Sequence, residues 1–138
     1  MDKLVLEVRD AFTGLGLPHA AGGVTLVADT PSSITSIAPF AGQGKAVSDA
    51  LKPLGATALP KVGASTKGKG VGLWWVGAGQ WMAMGGKAAD IMAALEGKAA
   101  AVDLSDGWVG FRISGAGARN VFARLCPLDS DPSVMPVG

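Results

Sequence analysis

The chain has 138 residues, with 12 Lys and Arg against 11 Asp and Glu, a net charge of +1, one histidine and one cysteine. That balance gives no electrostatic reason to invoke nucleic acid or an anionic membrane, and a lone Cys126 excludes an internal disulfide and fits a reducing cytoplasm. Only 17% of residues are charged, against about 25% in an ordinary soluble domain. With a mean hydropathy of +0.36, the chain carries more apolar surface than a monomer should expose. At this length a single domain buries roughly 68–70% of its unfolded surface, enough for a core without metal or disulfide staples.

Residues 1–23 are weakly determined: LVLEV suits a short strand, and GLGLPHAAGG reads as a loop by its glycine and proline content. Val24–Ala28 and Ile34–Ala38 are β-rich, joined by the turn-like DTPSS. A helix is expected next, because Ala46, Val47, Ala50, Leu51 and Leu54 recur at helical spacing, with Pro53 and Gly55 as its stop. Residues 55–70 form a connection punctuated by glycine and lysine. VGLWWVGAGQWMAM then gives a hairpin with arms Val71–Val76 and Gln80–Met84. KAADIMAALEG follows as a helix whose apolar stripe is Ala88, Ile91, Met92 and Leu95, and Lys98–Leu104 is a strand. From Ile34 onward the expected order is β-α-β-β-α-β, the split βαβ of a ferredoxin-like plait.

A second unit is expected to begin there. Asp106-Gly107 suits a two-residue hairpin turn. Val109, Phe111 and Ile113 then alternate along a strand, and Ala118, Val121, Phe122 and Leu125 share one face of a helix stopped by Pro127. The expected fold class is therefore α+β: a plait over 24–105, then the start of an incomplete βα unit over 106–138. If the second unit mirrors the first, two strands and a helix are missing, so the chain reads as a single domain, 1–138, truncated at its C-terminus.

Two uncharged stretches, Ala11–Ala28 and Gly70–Gly86, are too interrupted by glycine and proline to span a bilayer, which needs about 20 mainly apolar residues in one helix. The N-terminus lacks a basic-then-apolar export pattern. A soluble cytoplasmic protein is expected.

The motifs that touch on chemistry are few. Gly63–Gly70 matches the first part of a phosphate loop, G-x-x-x-x-G-K, but glycine stands where Ser or Thr would bind magnesium. A strand is expected after it, so no helix N-terminus meets the phosphates. His19 is a loop histidine with no metal-ligand or nucleophile spacing around it. Cys126 falls at a helix C-terminus, where the dipole disfavours a thiolate, and reads as a small buried hydrophobe. Asp103 and Asp106 flank a turn and suit backbone hydrogen bonding better than paired acid–base work. Arg112, Arg119 and Arg124 suit a solvated basic edge or, more sharply, a docking surface. Trp74 and Trp75 leave opposite sheet faces, so either aromatic packing within one core accounts for them or the second meets the second unit or another protein. No catalytic, cofactor-binding or metal-ligating residue is assigned.

Over residues 101–138 the string resembles the gamma subunit of heterotetrameric sarcosine oxidase. The resemblance rests on Val102-Asp103, Ser105, Gly107, Val109, Ser114-Gly115, Cys126-Pro127-Leu128-Asp129 and Pro136-Val137-Gly138, with Met135 where phenylalanine is usual. The same D-x-S turn, strand and glycine-opened helix is similar to the folate-binding domain of glycine-cleavage aminomethyltransferase. The resemblance implies a degenerate folate-domain fold packed against a large alpha-type subunit. The complex it implies oxidatively demethylates sarcosine to glycine, with FAD, FMN, NAD and tetrahydrofolate on partner subunits and no cofactor on this chain. The expected function is thus a non-catalytic accessory subunit. The alternatives are a stand-alone folate-dependent aminomethyltransferase-like protein and an unrelated ferredoxin-like interaction domain.

Overall fold

The computed structural model describes residues 9–136, so the LVLEV strand and the last two residues of the P-V-G motif lie outside the described residues. The fold is α+β, with two antiparallel sheets and three α-helices. The chain divides into two compact units, one built from residues up to Asp29 together with Gly110–Pro136, the other essentially Thr30–Val109.

The second of these holds a five-stranded sheet. Its strands are β3 (Ile34–Pro39), β4 (Ser65–Lys67), β5 (Gly72–Gly77), β6 (Gln80–Met84) and β7 (Ala99–Asp103), in the spatial order β4-β5-β6-β3-β7. Helix α1 (Gly44–Leu51) connects β3 to the β4–β5 arm, and α2 (Ala88–Ala94) connects β6 to β7. The β-α-β-β-α-β order is present, with β4 as an additional edge strand inside the lysine-punctuated connection.

Both helices face one side of this sheet. Alternation places Leu73, Ala83 and Ile37 on that side, and Val47 and Leu51 from α1 and Ile91 and Leu95 from α2 complete one apolar cluster with them. Met92, expected on the same stripe, is 40% exposed, since it lies about 100° round the helix from Ile91. Helix α1 stops as its sequence predicts. Pro53 tightens the chain into a 3₁₀ turn, Lys52–Leu54, and Gly55 adopts a left-handed φ of 86° and returns its N–H to the Lys52 carbonyl. One group in the core is unsatisfied: the fully buried Thr35 hydroxyl has no hydrogen-bond partner among the described residues. An orphan of this kind costs about 1–3 kcal/mol.

On the outer face of α1, Asp49 accepts hydrogen bonds from Lys45 (2.6 Å) and Lys52 (2.7 Å). The Lys45 bond first, then that from Lys52, holds the Asp49 carboxyl at about 2 against an ordinary 3.8. Because the folded value lies below the unfolded one, its stabilising contribution is present above about 3.8 and is lost as pH falls toward about 2. A carbon-detected NMR titration should find the Asp49 midpoint near that value, and Lys45→Met should move it upward. An ordinary midpoint in the unsubstituted chain would show that the pair does not persist in solution.

The other unit carries a three-stranded sheet of β1 (His19–Ala21), β2 (Val24–Ala28) and β8 (Phe111–Ser114), in the order β1-β2-β8, followed by α3 (Ala118–Leu125). Two expectations are corrected here. GLGLPHAAGG is not all loop, because His19–Ala21 pairs with Val24–Leu26 through a two-residue turn. Gly22 and Gly23 have φ of 57° and 76°, the positive values a type I′ hairpin turn demands at both positions. DTPSS links β2 to β3 as expected, though the two strands do not pair: β2 pairs with β8, and β3 pairs with β6 and β7. Asp106-Gly107 likewise makes no hairpin, because β7 and β8 belong to different sheets. Residues 24–29 are thus grouped with the C-terminal segment, and the other compact unit begins at Thr30.

Burial differs sharply between the two units. Every buried residue among those described lies between Ser33 and Ala99; residues 9–29 and 110–136 are all half-buried or exposed.

Candidate functional site

The three-stranded sheet has one apolar face. Register sets His19 and Ile113 beside Leu26, Ala21 opposite Val24, and Phe111 opposite Ala28, so their side chains leave the same side. Val121 and Leu125 of α3 join this face to line a groove of about 410 Å³. Beside it, Phe12, Leu15 and Leu17 share His19, Leu26 and Phe111 in a second groove of about 450 Å³. The Phe12 ring meets Phe111 edge-on, with centroids 6.2 Å apart and planes at 77°, a favoured aromatic geometry. Phe111 is nevertheless 57% exposed and Leu125 76%.

This face suits apolar contact and offers little for catalysis. Its lining holds one titratable side chain, His19, and general acid–base chemistry needs a partner within hydrogen-bond reach. The histidine stands at the rim of both grooves on a strand, where a loop residue was expected.

The remaining candidates take structural parts. The Asp103 carboxylate accepts the Ser105 hydroxyl (2.5 Å) and the Ser105 N–H (2.9 Å), and the Ser105 oxygen accepts the Ile34 N–H at 3.1 Å. These bonds, the hydroxyl first, hold Asp103 below the usual carboxylate range and fix the corner at the end of β7. Asp106 is exposed in the turn beyond it. Arg112 forms a fork onto Asp29 at 2.8 and 2.6 Å, tying β8 to the end of β2. Arg119 donates to the Ser130 carbonyl, and Arg124 sits in the last turn of α3. Two of the three arginines are thus committed within the chain and do not present a free basic edge. Cys126 is half-buried at the α3 C-cap, its N–H bonded to the Phe122 carbonyl.

The phosphate-loop-like string has another use. Ser65–Lys67 within it is strand β4, the Gly68 N–H is donated to Val71 and the Gly70 N–H to Gly55. Those amides are consumed internally, and a strand follows. Trp75 pairs across the hairpin with Trp81, whose indole N–H is donated to the Pro60 carbonyl at 3.0 Å. Trp74 needs no second unit to explain it: its ring folds over Gly72, where a Cβ would lie 2.4 Å from the ring edge. The signal for this was Gly72 itself, two residues away on the same strand face. Among the described residues no group of three or more His, Cys, Asp or Glu could hold a metal ion, and no helix is long and apolar enough to cross a membrane.

No known family profile matches the chain, and no curated protein matches it. Among solved structures, a chain of the heterotetrameric sarcosine oxidase from Corynebacterium sp. U-96, in complex with pyrrole 2-carboxylate, is similar with a TM-score of 0.71. The match covers 91% of this chain and 68% of that one, at 20% sequence identity. At that identity the likeness is one of fold.

Proposed function

We propose that this chain is a non-catalytic, gamma-like accessory subunit of a cytoplasmic sarcosine oxidase assembly, holding its place by packing on a larger chain. The observation that carries the reading is the likeness of fold, over 91% of the chain, to a chain of a heterotetrameric enzyme of that activity. The apolar face of β1, β2, β8 and α3 supports it. An unburied hydrophobic surface of this extent is what a subunit interface requires and what an isolated monomer avoids.

Within this reading the Thr30–Val109 unit is a split-βαβ plait, since the order β7-β3-β6-β5 with both helices on one face fits that topology. The whole is a folate-domain-like fold that has no folate role of its own. FAD, FMN, NAD and tetrahydrofolate then belong to the partner subunits, and the large alpha-type subunit is the neighbour. Purified alone, the chain is expected to be colourless and to release no peroxide from sarcosine. A visible spectrum and a peroxide assay check this, and bound flavin or turnover in the lone chain would refute the accessory reading. Micromolar folate binding by calorimetry would instead favour an aminomethyltransferase-like protein.

A further inference from the structure

Strand β4 ends the five-stranded sheet, pairing with β5 on one side only. The Ala64 carbonyl accepts the Trp75 N–H and the Gly68 N–H is donated to Val71. Antiparallel alternation then turns the N–H and C=O groups of Ser65 and Lys67 away from β5, toward the open edge. Charge along this part of the chain is one-sided. From Ala50 to Ala89 the sequence has lysines at 52, 61, 67, 69 and 87 and no Asp or Glu. Lys61, Lys67 and Lys69 are exposed and form no ion pair among the described residues, while Asp49 is already shared by Lys45 and Lys52.

These lysines bracket β4. Lys67 is its last residue, Lys69 lies in the Gly68–Gly70 turn that follows and packs on Gly55, and Lys61 opens the turn entering the strand, its carbonyl bonded to the Ala64 N–H. We infer that the open edge of β4 is a docking site for an extended acidic segment of another polypeptide, which adds a strand beside Ser65–Lys67 and places carboxylates against Lys61, Lys67 and Lys69.

Edge lysines are a common guard against uncontrolled strand pairing, and here the guard also selects. A second copy of the same edge would bring a second set of the same positive charges alongside, whereas an acidic strand satisfies both the backbone groups and the charge. A nucleic acid would meet the lysines with phosphates but leave the outward carbonyls facing anionic oxygens. The inference stands apart from the accessory-subunit reading, since it concerns a different surface and different chemistry.

The test uses the full chain, isotope-labelled, and a short synthetic peptide alternating glutamate with threonine, titrated at low and at physiological salt. Backbone amide shifts should concentrate in residues 61–69, and binding should weaken as salt rises. Binding should be about tenfold or more weaker to the combined variant Lys61→Glu, Lys67→Glu and Lys69→Glu. A twin peptide N-methylated at every second residue, unable to donate along one edge, should fail to bind the unsubstituted chain. Absence of binding at low salt, equal binding of the methylated twin, shifts centred elsewhere, or tighter binding of a single-stranded oligonucleotide would each overturn the proposal.

Discussion

Truncating Ile37 or Leu73 to alanine should destabilise the protein by about 2–5 kcal/mol, whereas Leu125→Ala should change stability by no more than about 0.5 kcal/mol. Ile37 and Leu73 are fully buried on the same face of the sheet, in one cluster, so each substitution removes apolar contact and leaves a cavity that β3 and β5 cannot close. Leu125 has a similar volume and lies on the apolar face of α3, but it is 76% exposed and surrenders little burial. Chemical denaturation followed by tryptophan fluorescence measures all three, since the Trp75–Trp81 pair reports on the sheet that holds the core. A large loss on Leu125→Ala in the isolated chain would mean that this face is already covered in solution, and the docking argument would fall with it.

Gly68→Ala should be nearly as damaging, for a different reason. A Cβ at this position would lie 1.9 Å from the Gly55 carbonyl oxygen, 2.6 Å from the Val71 oxygen and 2.9 Å from the Ala56 Cα. All three are backbone atoms, and none can swing aside as a side chain end would. Overpacking of this kind costs about 1–3 kcal/mol or more, and it should open the end of the β4–β5 pairing. Gly44→Ala is the matched control. It lies in α1 with nothing within 4 Å of the added Cβ, so it should raise stability by up to about 1 kcal/mol. Thermal melts of the two variants, with hydrogen exchange at Thr66 and Trp75, separate the effects. If Gly68→Ala melts like the parent, the glycine is not there for close packing and the phosphate-loop comparison would reopen.

Much of the Thr30–Val109 unit was legible because each of its elements carries its own local signal. Val47 and Leu51 recur at helical spacing and are fully buried, Gly77–Gly79 marks the β5–β6 turn, and Gly55 ends the α1 exit with the positive φ that its type allows. Pairing between distant segments left no such mark. Nothing local says that Val24–Ala28 bypasses Ile34 to meet Phe111–Ser114 across more than eighty intervening positions; what fixes it is the match of Leu26 to Ile113 and the Asp29–Arg112 fork. The Gly22-Gly23 turn did carry a usable signal, because two consecutive glycines between short apolar runs favour a type I′ hairpin. Among the candidate site residues, Asp103 behaves as turn chemistry suggested. His19 does not stay in a loop: the local Gly22-Gly23 hairpin sets it opposite Leu26.

The most direct measurement is size-exclusion chromatography with light scattering on the chain alone and on the chain co-expressed with the large subunit of a heterotetrameric sarcosine oxidase. With Phe111, Val121, Leu125 and Leu128 all exposed, the lone chain should be monomeric when dilute and self-associate as its concentration rises, because unpaired apolar faces and sheet edges recruit one another. Co-expression should convert it into a single stoichiometric complex. A lone chain that stays monomeric at every concentration and ignores the large subunit would contradict the account.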